Sequence, residues 1–171
     1  MAGLNPQVIG KTMDAGYAGS YARQPDMIVN TRVAGGSVNI PFGAPLVSSE
    51  GTVVQMGADA TAAEFVGVAG REVKSSLTYQ QQSPGEYAPG DAVSVFQEGS
   101  IQVYCQRGTP ALGGAVYVRI TYNSSYSSAQ VGGFEAEADS SNTVQLTNCQ
   151  WGGPPDANGI AELVILTRLN A

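Results

Sequence analysis

The stretch GDAVSVFQEGSIQV, residues 90–103, decides the reading of the fold. Glycine opens it, a short apolar strand follows, Glu98-Gly99 suits a turn, and a β-branched strand returns. The expectation is a β-hairpin, with glycine supplying the positive φ that a tight turn or bulge demands. The same plan recurs at residues 43–54, GAPLVSSEGTVV, where Glu50-Gly51 is the expected turn. GGAVYV from Gly113 begins in the same way. The spacing of these copies is irregular, so they are a repeated hairpin idiom and not a solenoid.

Outward from this stretch the chain continues as strands and turns. In GSIQVYCQ, Ile101, Val103 and Cys105 alternate with Gln102, Tyr104 and Gln106. In GAVYVRITY, Val116, Val118, Ile120 and Tyr122 face one way, and Tyr117, Arg119 and Thr121 the other. Period two of this kind marks a half-buried strand. EFVGVAGREV and IAELVILTRL supply further strands. The consecutive Leu163, Val164, Ile165 and Leu166 of the latter imply cover on both faces. Gly, Pro, Asn, Asp and Ser fill the intervals, as turns require. GADATAAEF alone hints at helix, and it is long enough for barely one turn. The expected fold is all-β: a single β-sandwich, jelly-roll or barrel-like domain.

The first 36 residues read differently. Their apolar residues keep neither period for long, and Lys11, Arg23 and Arg32 against Asp14 and Asp26 leave residues 1–32 at +1, with −7 on the remainder. We therefore expect an extended N-terminal arm over residues 1–36 and a β-rich domain over 37–171, the alternative being that the first residues cover one side of the same domain.

Charge and composition narrow the function. A net charge of −6 argues against phosphate-backbone or anionic-lipid partners, so neither nucleic acid nor membrane is expected. No run is apolar for long enough to span a bilayer. MAGLNPQVIGKTMDAGYAG lacks the apolar centre of a signal peptide, and assembly in the cytoplasm is expected. Asn123 opens a glycosylation sequon, taken as a chance match on the same ground. Cys105 and Cys149 provide no disulfide framework and are expected as buried thiols.

With no histidine in 171 residues, Ser-His-Asp and Cys-His mechanisms are excluded as written. There is no phosphate-binding loop, and no cofactor is expected. Carboxylates remain. In FEAEAD, Glu135, Glu137 and Asp139 fall at alternate positions, which on a strand would place them on one face. Such a trio suits a calcium site or a glycosidase pair, or else a solvated face that keeps a sheet edge soluble. Trp151, beside a Gly-Gly-Pro-Pro turn, either plugs a β-core or stacks on a sugar ring. The Tyr/Ser loop around Tyr126, residues 121–130, suits an adaptable binding tip or a plain surface loop. Together these two features support an alternative reading, a β-sandwich module that binds a glycan or a receptor.

IPFGAPLV, EGTVV, FVGVAGREV and YAPGDAVSVFQEGSIQV, in that order after MAGLNP and AGYAG and before GGAVYV, resemble the structural cement proteins of tailed phages. The likeness runs from residue 1 to about residue 120, and residues 121–159 add little to it. The resemblance implies a capsid decoration protein without enzymatic activity. Such a protein sits on the outer surface of the expanded icosahedral head in the virion. It bridges major capsid subunits against the pressure of packed DNA, as a homodimer or homotrimer at capsid symmetry axes. On that reading the arm lies along the shell, with Tyr17, Tyr21, Arg23 and Arg32 as its anchors, because Tyr and Arg are favoured at interface hot spots.

Overall fold

The computed structural model describes residues 14–71 and 85–168. The expected first thirteen residues of the arm, the end of EFVGVAGREV beyond Arg71, and the last residue of IAELVILTRL lie outside them. The described chain is nearly all β. Eleven strands run in order: β1 (Ile28–Val33), β2 (Ile40–Pro41), β3 (Pro45–Ser49), β4 (Thr52–Gln55), β5 (Phe65–Ala69), β6 (Glu86–Tyr87), β7 (Ala92–Arg107), β8 (Ala115–Arg119), β9 (Phe134–Glu135), β10 (Thr143–Trp151) and β11 (Ile160–Ile165). Nine form one sheet, and β2 pairs with β6 in a small second one.

β7 organises the large sheet, and it corrects the opening expectation. Residues 90–103 do not form a hairpin. Sixteen residues, Ala92–Arg107, continue as one strand through Glu98-Gly99. The reason is long-range pairing on both halves. Residues from Ala92 to Glu98 pair antiparallel with β1, and Val95 and Phe96 pair with β5 on the other side. From Gly99 to Tyr104 the strand pairs with β11. Gly99 keeps a φ of +104°, but in mid-strand, where a Cβ would collide with the carbonyl oxygen of Asp26. Glycine here makes room for a crossing chain instead of reversing its own.

The sister stretch behaves as expected. β3 and β4 form a hairpin whose corner residues, Glu50 and Gly51, have φ of 48° and 82°, both left-handed as a type I′ turn requires. The helical hint in GADATAAEF is one 3-10 turn, Ala62–Glu64, whose Glu64 carboxylate accepts the Thr61 amide at 2.7 Å.

Pairings at the C-terminal half of β7 close on themselves: β7 to β11, β11 to β10, β10 to β8, β8 to β9, and β9 back to β7, the last in parallel. Inside this circuit Ile101, Val103, Val116, Val118, Phe134, Leu146, Trp151 and Leu163 are fully buried or nearly so. Each such side chain contributes about 1.5–3 kcal/mol by leaving water. A second cluster, with Ile40, Leu46, Val53, Tyr87, Val93 and Val95, sits at the other half of β7. There Tyr87 donates its hydroxyl to the Gly70 carbonyl at 2.6 Å. In β11, Leu163 and Ile165 are buried and Val164 is half-buried, and Leu166 just past its end is exposed, so only one face is fully covered. Both cysteines are free and buried.

Candidate functional site

The FEAEAD carboxylates do not share a face. Glu135 is fully buried in β9, while Glu137 is exposed beyond it. Across the circuit, Arg119 of β8 is also fully buried and donates to both Glu135 oxygens, from Nε at 2.6 Å and from Nη2 at 3.0 Å. Arg107 at the end of β7 adds Nη1 at 3.0 Å to the same carboxylate. Arg119 Nη1 also reaches Asp139 Oδ2 at 2.8 Å, and Arg107 lies 3.5 Å from Glu137. The carboxylates of the expected calcium trio are thus turned to arginines. Among the described residues no group of three or more His, Cys, Asp or Glu side chains is arranged to hold a metal ion.

Pairing explains why a carboxylate is tolerated at zero exposure. A lone buried charge is costly, but two guanidinium groups satisfy both its oxygens. Asp139 sits lower in pKa than an ordinary carboxyl because the Asn123 amide and the Arg119 guanidinium donate to its charged form. The Asn123 amide is 2.9 Å from Asp139 Oδ2, and its oxygen accepts the Ser125 amide, so the sequon side chain is committed to the fold. The Arg107 guanidinium lies 4.3 Å from the centre of the Tyr126 ring. The Tyr/Ser loop is therefore pinned onto the charge cluster by a cation–π contact and a capped turn.

Trp151 is fully buried at the end of β10, which fits the core-plug reading and removes it as a sugar-stacking platform.

Residues of the expected arm are bound to the sheet over their described length. Gly19 donates to Gln102 and Ala22 to Ser100, and Tyr21 bridges Ile101, which lays residues 19–22 along β7. Tyr21 is half-buried, its ring 5.4 Å from that of Phe96. Tyr17 is 67% exposed with the Arg71 guanidinium 4.5 Å over its ring. Arg23 is exposed and pairs with Glu162 at 2.6 Å. Arg32 is exposed on β1. Asp156 ties down the start of this segment: Oδ2 accepts the Ala15 amide at 3.0 Å, and Oδ1 accepts those of Asn158 and Ile160. The four expected anchors are therefore not equivalent, since Tyr17 and Arg32 are exposed while Tyr21 packs against the core.

The strand order and the β circuit define the fold, and that fold has counterparts among solved phage structures. It matches a chain from the capsid of Myoviridae phage XM1 with a TM-score of 0.71 and 18% identity, covering 99% of this chain and 100% of that one. It also aligns with the head fiber gp8.5 N base of bacteriophage phi29, at a TM-score of 0.46 and 15% identity over 85% of this chain and 99% of that one. No curated protein sequence matches it. The chain belongs to the structural cement protein family (E217 gp24/Pam3 gp6), whose profile matches residues 5–166. It is a structural protein of the bacteriophage virion, of the capsid cement type.

Proposed function

We propose that the chain binds the outside of the expanded icosahedral head and bridges neighbouring major capsid subunits, with no catalytic step. The observation that carries this reading is the family match over nearly the whole chain, residues 5–166. The physical task is to resist the outward push of packed DNA. A protein that spans subunit boundaries adds contact area where the shell would part first. An interface of ordinary size buries about 1,600 Å² in total. Repetition around a symmetry axis turns modest single contacts into lasting attachment. A homodimer or homotrimer would match local two-fold or three-fold axes.

On this reading the β circuit forms one barrel-like body, and residues 1–36 act as the shell-facing arm. Tyr17 and Arg32 have the exposure that a contact residue needs. Arg23 would have to exchange Glu162 for a shell partner, and Tyr21 would fix the arm to the body. The acidic remainder faces solvent and keeps decorated heads apart by repulsion.

The test is to mix purified protein with undecorated heads and sediment them. Saturable co-sedimentation at a fixed ratio to the major shell protein is expected, and it should weaken at least tenfold for a Tyr17→Ala/Arg32→Glu variant. Absence of binding to heads at any ratio would sink the reading. Unchanged binding by the variant would sink the arm contacts alone.

A further inference from the structure

We propose that β1 is a self-pairing edge: two copies of the chain join across a two-fold axis by antiparallel pairing of β1 with β1. This deepens the homo-oligomer part of the reading above by naming its interface.

The first observation is an open edge. β1 pairs with β7 on one side, and among the described residues no strand pairs with its other side. Ala34, just past its end, bridges Val53 of β4. Asn30, Thr31, Arg32 and Val33 are all exposed, Val33 to 51%. Such an edge presents unpaired N–H and C=O groups in strand geometry, a template for another strand.

Charge selects the occupant. The body repels its own copies through its acids, so two copies can approach closely only where acids are missing. Arg32 is the sole charged residue in residues 27–49, and no acid occurs there. Register then fixes the fit. Symmetric pairing centred on Thr31 sets Thr31 against its own copy, Arg32 against Asn30, and Val33 against Val29. No like charges face each other, and the exposed Val33 gains a β-branched partner. A register centred on Arg32 would oppose the two arginines and is disfavoured.

The test is sedimentation velocity of the full chain over a concentration series. A dimer is expected. Thr31→Lys and Thr31→Glu each place like charges across the axis and should weaken the dimer at least tenfold. Mixing the two in equal amounts, one carrying an affinity tag, should restore a dimer holding one copy of each. That rescue also shows that both variants fold. A chain that stays monomeric throughout, forms a trimer, or dimerises unchanged in both variants overturns the proposal. Head co-sedimentation run in parallel separates the two readings. A monomer that saturates heads refutes β1 self-pairing alone, and a dimer that ignores heads refutes shell binding alone. If the wild-type chain is monomeric and Thr31→Lys loses heads, a shell strand takes this edge and self-pairing is overturned.

Discussion

At the residue scale, the defining feature is a carboxylate at zero exposure held by two arginines from separate strands. Glu135, Arg119 and Arg107 come from β9, β8 and β7, so their contacts lock three strands of the circuit in one register. Apolar packing alone tolerates small slips, whereas this cluster penalises any slip by leaving charge unpaired. Glu135→Gln removes the negative charge and leaves Arg119 buried with only Asp139 to answer it. The expected cost is about 3–5 kcal/mol, the scale for breaking a buried ion pair from one side. Urea denaturation followed by tryptophan fluorescence reads this directly, because Trp151 is buried in the same core. Glu137→Gln, at an exposed partner of Arg107, should change stability within error. Equal effects at the two positions would show that the buried pairing does not hold the circuit together.

At the element scale, β7 joins both apolar clusters because its chain stays extended through Gly99. The two Glu-Gly pairs in this sequence make the contrast testable. At Gly51 a Cβ would meet nothing within 4 Å, so Gly51→Ala incurs only the left-handed backbone penalty, about 1–2 kcal/mol. Gly99→Ala adds a collision with the Asp26 backbone, for a total of roughly 3–5 kcal/mol. Chemical denaturation of the two variants should rank them in that order, and a reversed order would mean that the crossing near Asp26 is loose. The same pair shows what was legible in the sequence. Positive φ was readable at both glycines, and so was the inward row of Ile101, Val103 and Cys105, because both are local properties. Whether the chain turned or ran straight was not local. It was decided by Ile165, which pairs with Gly99, and by Glu98 pairing with Ile28. Burial of Arg119 and Glu135 is not legible in the sequence for the same reason. Strand alternation sets Arg119 opposite the apolar row, a place normally facing water, and its partner lies sixteen residues away. A signal existed in an arginine within an apolar strand followed by closely spaced acids, but spacing alone could not pair them.

At the scale of the whole molecule, acid chemistry governs stability. There is no histidine, so no imidazole changes charge between pH 5 and 8. Burial pushes the Cys149 thiol up to about 12 and raises that of Cys105, which keeps both neutral through that range. Several carboxyls are held below their ordinary values by what they accept. Glu162 takes hydrogen bonds from Arg23, Asp156 from the Ile160 and Ala15 amides, Asp139 from Asn123 and Arg119, and Glu64 from Thr61. Each titrates lower in the folded chain than in the unfolded one, so the unfolded state binds protons first as pH falls. The stability these groups add is complete above the ordinary carboxylate range, about pH 4–5, and is lost as pH drops through their folded values. Protonation also strips the chain of its fourteen acidic charges while its eight basic ones remain, which replaces net negative repulsion with net positive. The expected profile of thermal midpoint against pH is flat from 5 to 8 and falls steeply below about 4. A calorimetric series at constant ionic strength checks it. A midpoint that climbs or falls markedly between pH 5 and 8 would mean that a group outside these carboxylates controls the fold.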